Sequence, residues 1–153
     1  MKIIALVAAL LLAGTSLALA RPDVNVDADG VGAHGYDLVA YLSEDAPVEG
    51  RRAHQVTHDG ILYRFASAAN AAAFAAEPAR HLPAYGGFCA YGVAMGRKFD
   101  TKPIAWKIVD GRLYLELDQG IRAVWLREVP RNIAIADRIW PEIEQVPAAQ
   151  LGN

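Results

Sequence analysis

Cysteine is almost absent from this chain, and so is any excess of charge of one sign. Cys89 is the single cysteine among 153 residues, which excludes an internal disulfide framework and a multi-cysteine zinc site. The 15 Lys and Arg residues stand against 17 Asp and Glu residues, so the basic surface that nucleic-acid binding requires is missing. Phosphate-binding glycine loops, His-Glu-x-x-His pairs, calcium loops and nucleophile elbows are missing too. We therefore expect no nucleic-acid partner and no enzyme of those classes.

The only long hydrophobic run lies at the amino terminus. Lys2 precedes an apolar stretch that ends in Ala18-Leu19-Ala20, the small-x-small pattern that signal peptidase accepts. This order predicts a signal peptide over residues 1–20. It also predicts a periplasmic or secreted protein that is not stably inserted in a membrane after cleavage. An uncleaved anchor is the alternative, because the 18 residues from Ile3 to Ala20 approach the length of a membrane span.

The rest of the chain predicts one α+β domain, a small antiparallel sheet from two β-hairpins packed against about three helices. Alternating apolar residues surround two Asp-Gly pairs, Asp59-Gly60 and Asp110-Gly111, and this dipeptide suits a two-residue hairpin turn. Residues 21–33 are predicted to form a polar leader, and residues 34–153 the domain. Removing 20 residues from 153 leaves 133, a typical length for a single domain.

Three helices are predicted from capping and periodicity. The first covers Ala68–Ala76, with Ser67 as its N-cap and Pro78 as its stop. The other two are separated by Pro130. Their apolar residues at helical spacing are Ile121, Val124 and Trp125, then Ile133, Ala136, Ile139, Trp140 and Ile143. The stretch Leu82–Gly96 contains four glycines, so an irregular backbone is expected there.

Cys89 lies between glycines, and its thiol is the strongest candidate for chemistry. A free thiol in an exported protein is a liability unless it is buried or used, and a used thiolate binds soft metals or acts as a nucleophile. Together with His34, His81 and Asp37 it would form a site for copper or zinc, because thiolate and imidazole are ligands for both ions.

The other two histidines are predicted to be solvated hairpin residues. His54 and His58 lie four residues apart on a predicted strand, and at about 13 Å they are too far from each other to bind one ion.

The sequence leaves the class of function open. A binding protein would surround its ligand with the polar and aromatic side chains near Cys89, namely Tyr36, Asp37, Tyr85 and Tyr91. A thiol enzyme would use Cys89 as nucleophile, His34 or His81 as base and Asp37 to orient the base. A plain protein-interaction module would use none of this chemistry.

Five motifs follow one another between residues 35 and 141. They are GYDLVAY (Gly35–Tyr41), YRFAS (Tyr63–Ser67), PAYGGFCAYG (Pro83–Gly92), AWKIVDGRLYL (Ala105–Leu115), and Ala136-Asp137 with Trp140-Pro141. In this order they resemble the exported YHS-domain proteins. The resemblance covers most of the chain after the signal peptide.

The resemblance implies an exported binding protein that holds a transition metal, copper first, or a small ligand near Cys89. The wider YHS group resembles small metal-binding modules whose cysteines are ligands. Ala66 stands where the wider group has one of those cysteines, so that metal site is not carried over to this chain. Cys89 instead belongs to a Gly-Gly-Tyr-Cys-Ala-Tyr motif of the exported branch, with Phe88 in place of the tyrosine. His81 stands where relatives tend to have tyrosine, so a ligand role for it would be specific to this protein.

Overall fold

Two antiparallel hairpins contain all the strands of the structure, a computed structural model that describes residues 22–151. The first pairs β1 (Arg51–His58) with β2 (Ile61–Phe65), and the second pairs β3 (Lys102–Val109) with β4 (Arg112–Glu116). The α+β class predicted from the sequence is confirmed. Within the described residues, however, the hairpins form two separate two-stranded sheets rather than one. The predicted signal peptide, residues 1–20, lies outside the described residues.

Both hairpins close through the predicted Asp-Gly turns. The φ angles are 48° and 80° at Asp59-Gly60, and 50° and 77° at Asp110-Gly111. Two successive positive φ angles are the signature of a type I′ turn, whose twist matches that of the strands it joins. The local sequence therefore determines both turns.

Within residues 22–151, six α-helices accompany the hairpins, and three of them agree with the predicted ones. These three are α2 (Ala68–Ala76), α5 (Gln119–Trp125) and α6 (Val129–Ile143). The other three have four to six residues, too few to show a periodic pattern: α1 (Leu38–Ser43), α3 (Pro78–His81) and α4 (Ala90–Ala94). None of the six is long and apolar enough to cross a membrane.

The predicted helix signals act where they were expected, with one refinement. The Ser67 hydroxyl accepts a hydrogen bond from the backbone N–H of Asn70 at 3.1 Å and caps α2. Pro78 follows the end of α2, but it also begins α3, because proline suits the first turn of a helix. Pro130 occupies the first turn of α6 in the same way.

Strand β4 separates two hydrophobic cores. Leu113 and Leu115 point into the first core, which also contains Tyr41, Tyr63, Phe65 and Phe74. Tyr114 points into the second core, with Tyr85, Phe88, Val93, Trp125 and Ala136. Both faces of β4 are therefore buried, although its alternating sequence is typical of a strand with one buried face.

Residues 22–33, predicted as a leader, are part of the folded body. The N–H of Asp23 donates to the carbonyl of Glu144 at 2.6 Å, and the N–H of Asn25 donates to the carbonyl of Gly86 at 2.9 Å. Val31 is 1% exposed and forms a bridge to Leu62 at the edge of β2. This segment therefore connects the first hairpin to the end of α6.

A buried lysine holds the same segment against the end of α6. Lys98 Nζ donates to the carbonyls of Val146 and Glu144 at 2.7 and 3.1 Å, and pairs with the Asp23 carboxylate at 3.3 Å. Burial lowers the pKa of Lys98, and the Asp23 charge opposes that shift. The ammonium also lies 5.1 Å from the ring centre of Phe88 and 5.2 Å from that of Trp140, so cation–π contacts contribute to holding it.

The Asp37 carboxylate joins α1 to the start of α2. One oxygen accepts the N–H groups of Val39 and Ala40 at 2.8 and 3.2 Å and caps α1. The other accepts the N–H of Ala66 at 2.8 Å and the side-chain amide of Asn70 at 2.7 Å. Because its carboxylate accepts four hydrogen bonds and has no exposed surface, Asp37 has a structural role.

We expect Asp37→Asn to lower the free energy of unfolding by about 3 kcal/mol, because a side-chain amide turns a donor toward groups that are themselves donors. Urea denaturation measures this change. Asp45→Asn, at an exposed position with φ of 54° that Asn tolerates, is the matched control and should stay within about 0.5 kcal/mol of the parent. Equal stability of the two variants would contradict the structural role of Asp37.

Candidate functional site

Cys89 forms a buried pair with Glu116. Its thiol donates to Glu116 Oε2 at 3.1 Å, and its sulfur accepts the N–H of Gly92 at 3.4 Å, which caps α4. Glu116 Oε2 also accepts the N–H of Tyr91 at 3.1 Å. Cys89 is 1% exposed and Glu116 is fully buried, so the pair lies inside the protein between α4 and β4.

Burial sets the protonation of both members of the pair. Burial and, to a smaller extent, the neighbouring Glu116 charge raise the pKa of the Cys89 thiol to about 12. Burial also raises the pKa of Glu116 to about 7, against the opposing effects of the Cys89 thiol, the Tyr91 N–H and the Arg122 charge. Cys89 is therefore a neutral thiol at physiological pH rather than an activated thiolate.

Glu116 was not found by sequence reasoning, although it is the most unusual carboxyl in the structure. Its second oxygen, Oε1, is buried and has no hydrogen-bond partner among residues 22–151. Its place in an alternating strand is typical of a solvent-facing residue. The available signal was Tyr114, two residues earlier and hence on the same face of β4, because an aromatic residue on the supposed polar face indicates a second buried surface.

The three predicted metal ligands lie in three different environments. His34 Nε2 is 2.6 Å from Asp100 Oδ1, near the surface. His81 is 7% exposed and packs beside Phe74 in the first core, and burial lowers its pKa. Cys89 is bonded to Glu116. Across residues 22–151, no three His, Cys, Asp or Glu side chains are grouped so that they could hold a metal ion.

Four further residues named from the sequence have separate partners. Asp37 is occupied by its four donors, and the Tyr36 hydroxyl donates to Glu49 at 3.3 Å on the surface. Tyr91 is half-buried against the second core. His58, predicted to be solvated, is one-third exposed, lies 3.4 Å from Asp59 and packs edge-on against Phe74.

Tyr85 is the predicted ligand-binding residue that borders a cavity, although its side chain is buried. Its φ of 55° is unusual for a bulky residue. Its hydroxyl donates to Asp137 at 2.9 Å, and its ring lies between Tyr114 and Trp140, with centroid separations of 5.9 and 5.8 Å. Burial raises the pKa of Tyr85, and the hydrogen bond to Asp137 adds to the shift.

The loop that follows Tyr85 is held in place by the amino-terminal segment. The carbonyl of Gly87 accepts the side-chain amide of Asn25 at 3.2 Å and the Thr101 hydroxyl at 3.1 Å. At Gly86, whose φ is 61°, a Cβ would come within 2.5 Å of the Asp23 carbonyl, so only glycine permits this close approach.

These residues border a groove with a volume of about 1120 Å³. The lining includes Tyr85, Gly86 and Gly87 and residues 22–26. Its other apolar residues include Ile61, Tyr63, Leu82, Pro83 and Trp140, and its other polar residues are His58, Asp59, Arg112, Glu144 and Gln145. This is comparable in size and character to small-molecule sites, which are roughly 300–1,000 Å³ and mostly apolar. We name this cavity the Tyr85 groove.

Two residues of the Tyr85 groove have strained backbones outside any hairpin turn. Ala33 and Tyr85 both have positive φ, 51° and 55°. Non-glycine residues in this region cost free energy and are concentrated at ligand and active sites. The strain at the groove is therefore a second sign of a binding site, independent of its volume.

Comparison with known proteins gives no match: no family model, no curated protein and no solved structure is significantly similar to this chain. The assignment of a site therefore depends on the geometry described above.

The buried carboxyl of Glu116 predicts a pH-dependent stability. Because its folded-state pKa of about 7 lies above its ordinary value of 4.5, folding favours the protonated form. The stabilisation is full below pH 4.5 and is lost as the pH rises through 7, by about 3 kcal/mol in total.

Glu116→Gln should remove this slope, which urea denaturation at intervals from pH 4.5 to 8 would show. Glu142→Gln changes an exposed carboxyl on α6 and should keep the parent slope. The same slope in the parent and in Glu116→Gln would show that Glu116 titrates normally.

Proposed function

We propose that this protein is an exported, non-enzymatic binding protein of the YHS-domain type that holds a small organic ligand in the Tyr85 groove. The observation that carries the proposal is the strained loop Tyr85-Gly86-Gly87 beside a large, mostly apolar groove. The loop that borders the groove belongs to the same sequence motif as Cys89, near which the sequence predicts a ligand site.

Export and the YHS assignment are parts of this proposal that depend on the sequence. The small-x-small end of the apolar run supports the signal peptide. The motif Pro83–Gly92 supports the family assignment, because it supplies both the groove loop and the buried thiol. The motif Gly35–Tyr41 supports it through Asp37, whose four hydrogen bonds make that residue type necessary for the fold.

A neutral aromatic probe tests the groove directly. Titration of the ¹⁵N-labelled protein with 2-naphthylmethanol should shift the amide signals of Gly86 and Gly87 and the indole N–H of Trp140. The indole N–H of Trp106 is an internal control, because Trp106 packs against Tyr41 in the first core. Shifts confined to other regions, or no shifts, would contradict a binding site in the groove.

The same experiment has a matched pair of variants. Trp140→Ala removes a large apolar contact from the groove and should weaken probe binding by about tenfold. Trp106→Ala removes the same ring from outside the groove and should leave the affinity unchanged. Equal losses would indicate that truncation of either ring acts through general destabilisation.

A transition metal, copper first or zinc, is the second candidate ligand. It is favoured by one observation, the unpartnered and fully buried Glu116 Oε1 beside the only thiol. The pair supplies two donors, a sulfur that suits copper or zinc and a carboxylate oxygen that suits zinc. A metal would have to displace the thiol proton, so its apparent affinity would rise with pH.

Metal binding would be measured by elemental analysis of protein purified without chelators, and by titration of the reduced protein with Cu(I) and Zn(II). If the pair is a metal site, one ion binds per chain, Cys89→Ser abolishes binding, and Glu116→Gln weakens it. His34→Gln should have no effect, because His34 is engaged with Asp100. An affinity unchanged in Cys89→Ser would exclude the thiol as a ligand.

A thiol enzyme is less well supported. The hydrogen bonds of Cys89 go to Glu116 and Gly92 rather than to a histidine, and burial raises the pKa of its thiol to about 12. A nucleophilic cysteine requires the opposite shift. No feature of residues 22–151 specifically favours a plain interaction module over a binding protein.

A further inference from the structure

We propose that the Tyr85 groove selects an organic anion, a molecule with an apolar body and a carboxylate that binds the guanidinium of Arg112. This inference depends on the proposed function, because it names the class of ligand for the same groove. It rests on the position of Arg112, on the pairing of the other charges in the lining, and on the apolar remainder of the groove.

Arg112 is held at one end of the groove by aromatic rings. Its guanidinium carbon lies 5.2 Å from the ring centre of Tyr85 and 5.7 Å from that of Tyr114. These cation–π contacts, with a hydrogen bond between Arg112 and Tyr114, restrain the guanidinium and limit the entropy lost when a ligand binds. The side chain is nevertheless 47% exposed, so a ligand in the groove can reach it.

The guanidinium of Arg112 has N–H donors available to a ligand. Its ion pair with Asp137 is long, 3.7 Å, and the same Asp137 oxygen accepts the Tyr85 hydroxyl at 2.9 Å. Guanidinium carries five N–H donors in a planar fork that matches the two oxygens of a carboxylate. A ligand carboxylate at ordinary hydrogen-bond distance would therefore make a closer contact than Asp137 does.

The carboxylates in the groove lining each have a basic side chain nearby within the protein. Asp23 pairs with Lys98 at 3.3 Å, and the Glu144 charge also acts on Lys98, where it raises the pKa of the amine. Asp59 lies 3.4 Å from His58. Asp23 and Glu144 thus share one lysine, which lies behind the lining, and Arg112 is the lysine or arginine that lines the groove itself.

A second cavity continues the positive end of the groove. It has a volume of about 510 Å³, shares Leu82, Pro83 and Arg112 with the groove, and adds Arg80 and Asp110 to the charged lining. Arg80 pairs with Glu77 only at 3.6 Å, on the surface. Two arginines against one aspartate give this cavity a net positive lining, an arrangement that suits an apolar body with an anionic head.

Three probes of one shape and different charge test the selection. They are 2-naphthoate, 2-naphthylmethanol and 2-naphthylmethylammonium, and their affinities for the full mature chain would be measured by calorimetry at pH 7. We expect naphthoate to bind about tenfold more tightly than the alcohol, and the ammonium to bind most weakly. Arg112→Gln should reduce the naphthoate affinity to that of the alcohol, whereas Arg138→Gln, at an exposed position on α6, should keep the tenfold difference.

Arg112→Lys distinguishes a structural role of Arg112 from carboxylate binding, because lysine keeps the positive charge but lacks the planar set of guanidinium donors. Thermal unfolding of each variant would establish that it is folded, and Arg112→Lys should retain a reduced preference for naphthoate. Equal binding of all three probes, tightest binding of the ammonium, or an unchanged naphthoate preference in Arg112→Gln would overturn the anion assignment while leaving the groove as a ligand site. Failure of all three probes to bind would overturn the proposed function as well.

Discussion

The burial of β4 on both faces is the constraint on which the rest of this structure depends. A strand of a two-stranded sheet ordinarily faces solvent on one side, but β4 has the first core against Leu113 and Leu115 and the second core against Tyr114. Tyr114 in turn packs against Tyr85, so the strained groove loop rests on this strand. Glu116, at its end, is carried into the interior by the same geometry, which brings it to Cys89.

Asp37, Lys98 and Glu116 are among the ionisable side chains buried within residues 22–151, and their partners differ. Asp37 has four donors and Lys98 has two carbonyls and a carboxylate, so both are well compensated. Glu116 has two donors on one oxygen and none on the other. Buried polar groups without partners are costly, and they are retained most often where function requires them. Asp37 and Lys98 therefore have structural roles, whereas Glu116 is the candidate for a functional role.

The parts of the fold that the sequence predicted are those determined locally. Asp59-Gly60 and Asp110-Gly111 form the predicted turns because positive φ is a property of those residues, and Ser67 caps α2 through its own side chain. The helices α1, α3 and α4 were missed because they are shorter than two periods of a helical pattern. Their positions depend on long-range partners, as with Asp37, which bonds Ala66 and Asn70 some 29 and 33 residues away.

The candidate site was predictable only in part for the same reason. Glycines around residue 86 indicated close backbone approach, and the structure places Tyr85 beside a groove. The burial of Glu116 and the separation of Cys89, His34 and His81 depend on which surfaces pack together, and no local pattern encodes that. The sequence thus identified the segment that carries the groove loop, but not the partner of its thiol.

The hydrogen bond from Ala148 to the Asp23 carboxylate spans 125 residues of chain, and with the Lys98 contacts it fixes the wall of the groove made by residues 22–26. Contacts of such high sequence separation are made only when distant parts of the chain are brought together. The groove therefore has no complete wall until the two ends of the described chain meet. A substitution near residue 148, which does not line the groove, can thus change the shape of the groove by releasing residue 23.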